Sequence, residues 1–362
     1  MTSAEDRRLV RMRLAAQRIS SSEFTGVAEV VRWMTAMQAQ DFAGAKWSIG
    51  LRLPGSVESE IDAAFAEGTI VRSWPMRGTL HVVAPEDLRW MLGLTSERLI
   101  KGATARRAAL GLTHDQLERA REAATAALTG GKVLTRDEMY AVFDRAGVPP
   151  TGQRGYHALW YLSQSGTLCF GPPNEKQQTF VLFDEWIADS RTLDRDEALG
   201  EFVVRYFRSH GPATIRDFAW WSSTTLTDAR IGLAIARESL ASSDRDGESY
   251  YWAVDAAREP GPDGIRLLPG FDEFLLGYQD RRPQLTPQHA ERIVPGGNGM
   301  FLPTIVRDGE VIGTWRRAVS PRGIALVAGP FTASSGRLKR GFERAGRQYA
   351  RFLERKPTFA TA

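Results

Sequence analysis

The sequence predicts an α+β fold in which three helix-rich units, each closed by a short pair of strands, precede a smaller β-rich lobe. Amphipathic helical periodicity gives way to a strand pair three times along the chain, although no exact sequence repeat is present. From Pro269 onward, strand patterns and glycine-rich turns replace the helices. The chain then carries an arginine-rich helix, which we expect to close the lobe.

The first unit, residues 1–110, is predicted to contain three helices followed by a hairpin. The helices are expected near 9–18, 25–37 and 58–67, and the strands near 70–74 and 79–83. In the second helix, valine and methionine side chains recur at helical spacing through Met37. This spacing predicts a core-facing helix that ends just before Gln38.

The second unit, residues 111–190, shows the clearest pattern. Thr135 is a helix-capping residue type, and a Gly-Val-Pro-Pro turn at 147–150 separates two predicted helices. The predicted elements are helices over 135–145 and 153–165, strands over 167–171 and 179–183, and a polar loop over 172–178. Helix, turn, helix and strand pair are the parts of a winged helix.

The third unit, residues 191–268, repeats this order. We expect helices over 199–210, 214–221 and 228–240, and strands over 250–254 and 265–268. The sequence therefore predicts three tandem winged-helix units.

The last unit, residues 269–362, is predicted to be the β-rich lobe. Asp308-Gly309 is a strong turn signal between two strand patterns, which predicts a hairpin over 305–312. A further strand is expected over 324–327, before the arginine-rich helix.

Composition excludes several classes of protein. Hydrophobic residues make up 43% of the chain and charged residues 25%, as is usual for globular proteins, and no run of eighteen apolar residues occurs. Cys169 is alone and the five histidines are scattered, so we expect no internal disulfide, no metal and no cofactor. Nucleotide-binding and hydrolase motifs are absent. We expect a cytoplasmic protein.

Cationic residues are concentrated near the C-terminus. The net charge is only +4, yet lysine supplies 6 of the 47 cationic residues, and arginine suits phosphate recognition. Five arginines lie at three- and four-residue steps on one predicted helix face: Arg337, Arg340, Arg344, Arg347 and Arg351. More arginines lie between residues 7 and 18. The pattern favours a polyanion, nucleic acid above all, over a merely solvated helix face.

The most informative short motif is Gln38-Ala39-Gln40. An amide is a poor acid and base, but its oxygen accepts hydrogen bonds and its nitrogen donates two, so a pair can hold a water molecule. Both side chains point the same way only if the backbone is extended there. The alternative is that one amide caps the helix and the other is solvated.

Six segments together resemble the AlkZ-like family of bacterial DNA glycosylases, over nearly the whole chain. They are RLAAQ (13–17), MQAQD (37–41), MRGTLH (76–81), LPGFDEFLLGY (268–278), PTI (303–305) and GTW (313–315). This family has tandem winged helices and includes azinomycin-resistance enzymes and a YcaQ-type branch. The resemblance implies a C-shaped, basic cradle around the DNA.

The resemblance also implies a catalytic role for Gln38 and Gln40. Members carry a Gln-hydrophobic-Gln motif that positions the hydrolytic water, with Asp at the second position in the YcaQ-type branch. Asp41 is not at that position and receives no role.

The implied activity is a monofunctional glycosylase, without lyase activity, that removes N7-alkylated purines, as bulky adducts or interstrand crosslinks. The implied partner is double-stranded DNA carrying alkylated bases, bound by a monomer. A non-catalytic winged-helix regulator or a damage sensor is the alternative.

Further residues are candidate DNA contacts. They are Arg77, Thr79, His81, Arg154, Lys176, Arg337, Arg340 and Arg344. For His81 the alternative is a hydrogen-bonded interior residue, with Arg77 a surface cation. We expect the helix that starts near Arg154 to contact the DNA backbone rather than read sequence. The carboxylates of Asp272, Glu273 and Asp280 are interpreted as salt-bridge partners, not metal ligands.

Overall fold

The computed structural model describes residues 3–174, 177–256, 264–333 and 335–361. The α-helices are α1 (Ala4–Ala16), α2 (Val27–Met34), α3 (Phe42–Arg52), α4 (Glu58–Ala66), α5 (Pro85–Gly102), α6 (Thr104–Ala109), α7 (His114–Leu128), α8 (Arg136–Arg145), α9 (Arg154–Gln164), α10 (Phe183–Trp186), α11 (Arg195–His210), α12 (Ile215–Ser222), α13 (Leu226–Ile235), α14 (Glu273–Leu276), α15 (Pro287–Ile293) and α16 (Gly336–Phe352). The strands are β1 (Ala36–Gln38), β2 (Val71–Met76), β3 (Thr79–Val83), β4 (Leu134–Thr135), β5 (Leu168–Phe170), β6 (Thr179–Leu182), β7 (Ala213–Thr214), β8 (Leu240–Arg245), β9 (Glu248–Ala253), β10 (Ile265–Leu268), β11 (Thr304–Arg307), β12 (Glu310–Ser320), β13 (Gly323–Pro330) and β14 (Pro357–Thr361). The predicted α+β class is confirmed.

The chain divides into two compact units. One, the discontinuous unit, joins the residues up to Ile61 to those from Leu199 onward, and the other, the central unit, runs from Asp62 to Ala198. The boundaries fall within α4 and α11. The four domain ranges expected from the sequence stay a prediction. Over the described part of the chain, no helix combines the length and the apolar character needed to cross a membrane.

The central unit contains the helix, turn, helix and strand pair expected from the sequence. Thr135 caps α8 in a reciprocal pair with Glu138, and α9 follows the turn. Strands β4, β6 and β5 form an antiparallel sheet in that order. The side-chain amide of Gln164, at the end of α9, donates to the carbonyl of Trp74 at 2.7 Å, which ties β2 to this helix.

The discontinuous unit repeats this sheet order with different strands. β7, β9 and β8 form an antiparallel sheet in that order, with β8 and β9 joined at Asp246-Gly247, two residues with positive φ. The strand pair predicted over 250–254 and 265–268 is wrong in part. β9 pairs with β8, a strand that begins at Leu240, where a helix was expected to end. β10, the other predicted partner, pairs instead with β11.

The C-terminal lobe is a five-stranded sheet in the order β10, β11, β12, β13 and β14. Asp308-Gly309 forms the predicted turn between β11 and β12, with φ values of 53° and 91°. β14 was not predicted, and it pairs in parallel with β13 after α16 has crossed back. One face of α16, including Leu338, Phe342 and Tyr349, is buried as expected.

Helix α3, absent from the sequence prediction, packs against α16. A Cβ on Gly50 would lie 2.4 Å from the ring of Phe352, so only glycine lets these two helices approach this closely. The ring of Trp47 lies 4.8 Å from that of Tyr349 and 5.2 Å from that of Phe352. Its indole N–H donates to the carbonyl of Leu267 in β10 at 2.7 Å. These contacts anchor the segment that begins with α3 to the lobe.

Helix α1 ends in a turn that normally favours glycine. The N–H of Arg18 donates to the carbonyl of Ala15 at 3.0 Å, and that of Ile19 donates to the carbonyl of Leu14 at 2.9 Å. This arrangement requires positive φ at Arg18, which has φ 57°. A non-glycine residue in this conformation costs on the order of 1 kcal/mol or more.

Candidate functional site

The chain leaves strand backbone within the Gln38–Gln40 segment. Helix α2 ends at Met34, and β1 runs from Ala36 to Gln38, so the predicted helix over 25–37 was too long. Exposure alternates along the segment, with Met37 and Ala39 buried, Gln38 partly exposed and Gln40 exposed. Gln38 thus lies on a strand and Gln40 at a bend, and the pairing of the two amides stays a prediction.

The turn into this segment is strained. Thr35 is fully buried and has φ 66°, which is rare for a β-branched residue. Such positions cost about 1–3 kcal/mol and persist where the surroundings hold them. The strain redirects the chain from α2 into β1, immediately before the two glutamines.

A buried carboxylate holds the backbone of Gln38. Glu273 Oε1 accepts a hydrogen bond from the N–H of Gln38 at 2.9 Å, and its Oε2 accepts one from the indole N–H of Trp221 at 2.8 Å. Glu273 is 1% exposed. Because charge-assisted hydrogen bonds are short and strong, this contact fixes β1 against α14 across a separation of 235 residues.

The neighbouring carboxylate, Asp272, forms a buried ion pair. The guanidinium of Arg52 donates to both carboxylate oxygens of Asp272, at 2.9 and 3.0 Å, and Ser48 donates to the same carboxylate at 2.6 Å. Arg52 also donates to the side-chain oxygen of Gln17 at 2.9 Å, and Gln17 donates to the carbonyl of Glu273 at 3.2 Å. The polar network therefore joins α1, α3 and α14 behind the glutamine segment.

The interpretation of the acidic residues as salt-bridge partners is confirmed for two of them. Asp272 pairs with Arg52, and Asp280 pairs with Arg282 at 2.7 Å. The part of the chain that the structure describes contains no group of three His, Cys, Asp or Glu side chains suited to a metal ion. The expectations about metal and cofactor stay predictions.

Asp41 connects the glutamine segment to the C-terminal lobe. Its carboxylate lies 3.9 Å from the guanidinium of Arg317, which in turn donates to the hydroxyl of Tyr349. Burial raises the pKa of Tyr349 to about 12, so this hydroxyl stays protonated at neutral pH. Asp41 stands at the start of α3 but its side chain makes no capping hydrogen bond there.

Arg77, Thr79 and His81 lie at a hairpin in the central unit. Arg77 and Gly78 both have positive φ and form the two-residue turn, so Arg77 does not share the strand face of Thr79 and His81. A guanidinium nitrogen of Arg77 lies 2.9 Å from His81 Nε2, and His81 Nδ1 lies 2.9 Å from the carbonyl of Thr79. His81 is fully buried, so any contribution to DNA binding has to act through Arg77.

The guanidinium of Arg154 is engaged within the central unit. It donates to the carbonyl of Leu110 at 2.5 Å, to that of Pro149 at 2.9 Å and to the side-chain oxygen of Gln116 at 3.1 Å. These contacts hold the start of α9 against two loops. Lys176, the candidate on the neighbouring loop, lies outside the described residues.

The arginine face of α16 is exposed, as its spacing predicts. Arg337, Arg340 and Arg344 line a cleft of about 440 Å³ together with Arg307 and Asp308. A cleft with this excess of guanidinium groups attracts anions. Their role in DNA binding stays a prediction.

Comparison with known proteins identifies the family. A family model described as "DNA glycosylase AlkZ-like" matches residues 31–352. The chain belongs to the AlkZ-like family. A relative from Streptomyces sahachiroi, "Interstrand DNA cross-link repair glycosylase", is 29% identical over an alignment of 326 residues, and the match covers 85% of this chain and 87% of the relative. The solved structure of S. sahachiroi DNA glycosylase AlkZ superposes with a TM-score of 0.81 at 26% identity, covering 100% of both chains.

The AlkZ-like resemblance stated from sequence motifs is thereby confirmed, but two structural residues were missed. Glu273 was interpreted only as a salt-bridge partner, although it lies in the apolar run LPGFDEFLLGY, where a carboxylate is expected to be buried and partnered. Trp221, which donates to Glu273, was not singled out as a site residue. An acidic residue inside an apolar segment was the available signal.

Proposed function

We propose that this chain is a monofunctional DNA glycosylase that hydrolyses the N-glycosidic bond of N7-alkylated purines, as bulky adducts or interstrand crosslinks. Gln38 and Gln40 position the attacking water. The observation that carries the proposal is that a buried carboxylate holds the backbone of Gln38 on β1, just after the strained residue Thr35, in a member of this family. The relative named as an interstrand cross-link repair glycosylase supports this choice of substrate.

The chemistry suits neutral amides. Alkylation at N7 gives the purine a positive charge, so the bond from C1′ to N9 breaks with its electron pair leaving on N9, and the base departs neutral. Water adds to the oxocarbenium-like sugar and releases its proton to solvent. The amide oxygens accept from this water and orient it, which acts through positioning rather than through strong base catalysis.

A lyase step needs an amine nucleophile, and the lysine nearest in sequence is engaged. Lys46 in α3 lies 2.7 Å from the carboxylate of Glu58. An ammonium group held in an ion pair with a carboxylate is not available to attack a sugar aldehyde. We therefore expect the abasic product to remain uncut.

The duplex would bind as a polyanion to basic side chains of the proposed winged helices. Arg77, Arg154 and the arginines of α16 are the proposed backbone contacts, and Thr79 and Lys176 are further candidates. The buried side chain of His81 would act through Arg77. We place the activity in a monomer, at the nucleoid in the bacterial cytoplasm, where this substrate lies.

The test is base release from duplex DNA that carries one N7-methylguanine, or a bulkier N7 adduct, followed by alkaline cleavage at abasic sites. Gln38→Ala and Gln40→Ala should each lower the rate by about 100-fold or more, because each removes a group that orients the water. Gln288→Ala, which removes an exposed glutamine from α15, is the matched control and should act as wild type. Strand cleavage without alkali would contradict the monofunctional assignment.

Duplex binding without release of any of these bases would replace the enzyme with a DNA-binding regulator or a damage sensor. Binding is measured on the same duplexes by fluorescence anisotropy. Retained release in both glutamine variants would remove the proposed roles of Gln38 and Gln40 while leaving the glycosylase itself in place.

A further inference from the structure

We infer that a pocket between α1, α3 and α16 binds a phosphate group of the DNA backbone. The pocket has a volume of about 410 Å³. This pocket is here called the arginine pocket, and its polar lining includes Arg18, Ser20, Ser22, Arg266, Arg344 and Arg351. Guanidinium forks and hydroxyls are the donors that tetrahedral oxyanions accept from in proteins.

The charge in the arginine pocket is not neutralised by its own lining. Four of its described lining residues are arginines and none is acidic. Nitrogens of Arg266 and Arg344 lie 2.6 and 3.5 Å from the point where a Cβ on Gly264 would stand, so the two guanidinium groups are close neighbours. Burial and the positive charge of Arg344 both lower the pKa of Arg266. A bound anion would offset this repulsion.

Two residues that line the arginine pocket each carry a buried hydrogen-bond donor without an acceptor. Arg18 Nε and Ser20 Oγ are both buried and neither has a hydrogen-bond partner. Buried polar atoms of this kind are uncommon and call for a ligand, an ion or water. Arg18 is held in position because its guanidinium lies 4.2 Å from the ring centre of Trp33. The donors are therefore arranged before any ligand arrives.

The backbone at Arg18 gives an independent reason. Its positive φ closes the turn after α1, a position that glycine occupies without strain. An arginine at a glycine-favouring position costs the fold stability. A strained residue of this kind is a pointer to a functional side chain.

The location of the arginine pocket separates it from the proposed catalytic segment. Gln40 precedes α3, whereas Leu51 and Pro54 at the other end of α3 line the pocket. A helix of 11 residues is about 16 Å long. This distance corresponds to roughly five steps of one DNA strand. The bound phosphate is thus not that of the reacting nucleotide, and the choice of DNA as its source rests on the proposed function.

Arg18→Gly is the decisive variant. It removes the side chain and also relieves the backbone, so the variant should fold with an equal or higher melting temperature. Millimolar inorganic phosphate should raise the melting temperature of the wild type above its value in chloride at equal ionic strength, and this rise should be lost in Arg18→Gly. Arg351→Gln should reduce it, whereas Arg347→Gln, one turn away on α16 and outside the pocket, should not.

Undamaged duplex DNA identifies the source of the phosphate. The magnitude of the slope of log affinity against log salt concentration should fall by about 0.9 in Arg18→Gly, the value for one lost phosphate contact. It should fall likewise in the wild type when inorganic phosphate already occupies the pocket. Loss of the phosphate effect with an unchanged DNA slope would overturn DNA as the ligand in favour of a free phosphate. An unchanged phosphate effect in Arg18→Gly would overturn the pocket itself. Neither result depends on base release, which separately tests the proposed function.

Discussion

The glutamine segment and the arginine face of α16 belong to the same discontinuous unit but are built in opposite ways. The first is neutral, and its backbone is fixed by buried carboxylates, an ion pair and a strained turn. The second is strongly cationic, and its charged groups are exposed on a helix whose other face is buried. In the first region the structure fixes the position of the backbone, whereas in the second it presents positive charge. Substitutions should therefore affect geometry and stability in one region, and affinity in the other.

The largest contrast is expected between buried and exposed ion pairs. Asp272→Ala leaves the fully buried guanidinium of Arg52 without its carboxylate and should lower the free energy of unfolding by about 3–5 kcal/mol. Glu343→Ala removes the partner of Arg347 on α16 and should cost about 0.5 kcal/mol or less. Urea unfolding of both variants measures the two values. Equal losses of unfolding free energy in the two variants would mean that the buried polar network does not hold the first region in place.

The sequence predicted α16 well because an amphipathic helix displays its period in the residues themselves. Leu338, Phe342 and Tyr349 lie on the buried face and the arginines on the other, as the spacing required. Helix α3 was missed for the opposite reason. Residues 44–52 are all buried, so no polar face marks a helical period.

The extended conformation at Gln38 also could not be read from local pattern. Met37 continues the helical spacing of α2, so burial alone fits a helix. In the structure Met37 is a buried strand residue, and Ala39, two residues on, is buried as well. What decides between the two is the positive φ of Thr35 and the contact with Glu273, which lies far along the chain. The predicted strand pair after α13 was wrong for a similar reason, because β10 pairs with β11, a strand of the C-terminal lobe.

Glu273→Gln tests whether the buried anchor positions Gln38. The two carboxylate oxygens of Glu273 accept from the N–H of Gln38 and from the indole N–H of Trp221. A glutamine side chain has only one acceptor oxygen, so its NH2 group would face one of these two N–H groups. We expect a loss of about 1–3 kcal/mol in stability and a fall of roughly 10- to 100-fold in the rate of base release at saturating DNA. Duplex affinity should be unchanged, since the buried side chain carries no contact to DNA. A weaker affinity with an unchanged rate would break the division between the two regions.

The reverse result is expected on α16. Replacing both Arg337 and Arg340 by glutamine should reduce the magnitude of the slope of log affinity against log salt concentration by up to about 1.8, at about 0.9 per phosphate contact. Base release at saturating DNA should keep its rate, because only binding that is equal in the ground and transition states is lost. Anisotropy titrations at several salt concentrations measure the slope. A rate loss at saturation would show that these arginines also position the reacting nucleotide.

The smallest effect separates the two regions by pH. His210 belongs to the first region, because its Nε2 lies 3.6 Å from Glu273 Oε2, and its ring can titrate, whereas arginines do not titrate near neutrality. Burial lowers the pKa of His210 below its ordinary 6.5, and Glu273 offsets this only in part. The unfolded chain therefore takes up a proton below pH 6.5 that the folded chain resists, so stability is full above that pH and falls as the pH drops towards the folded pKa. The loss should be at most about 1.4 kcal/mol per pH unit, and His210→Gln should reduce it in urea unfolding at pH 7.5 and 5.5. Arg344→Gln, on α16, should retain the wild-type pH dependence, and a matching change there would show that the two regions are electrostatically coupled.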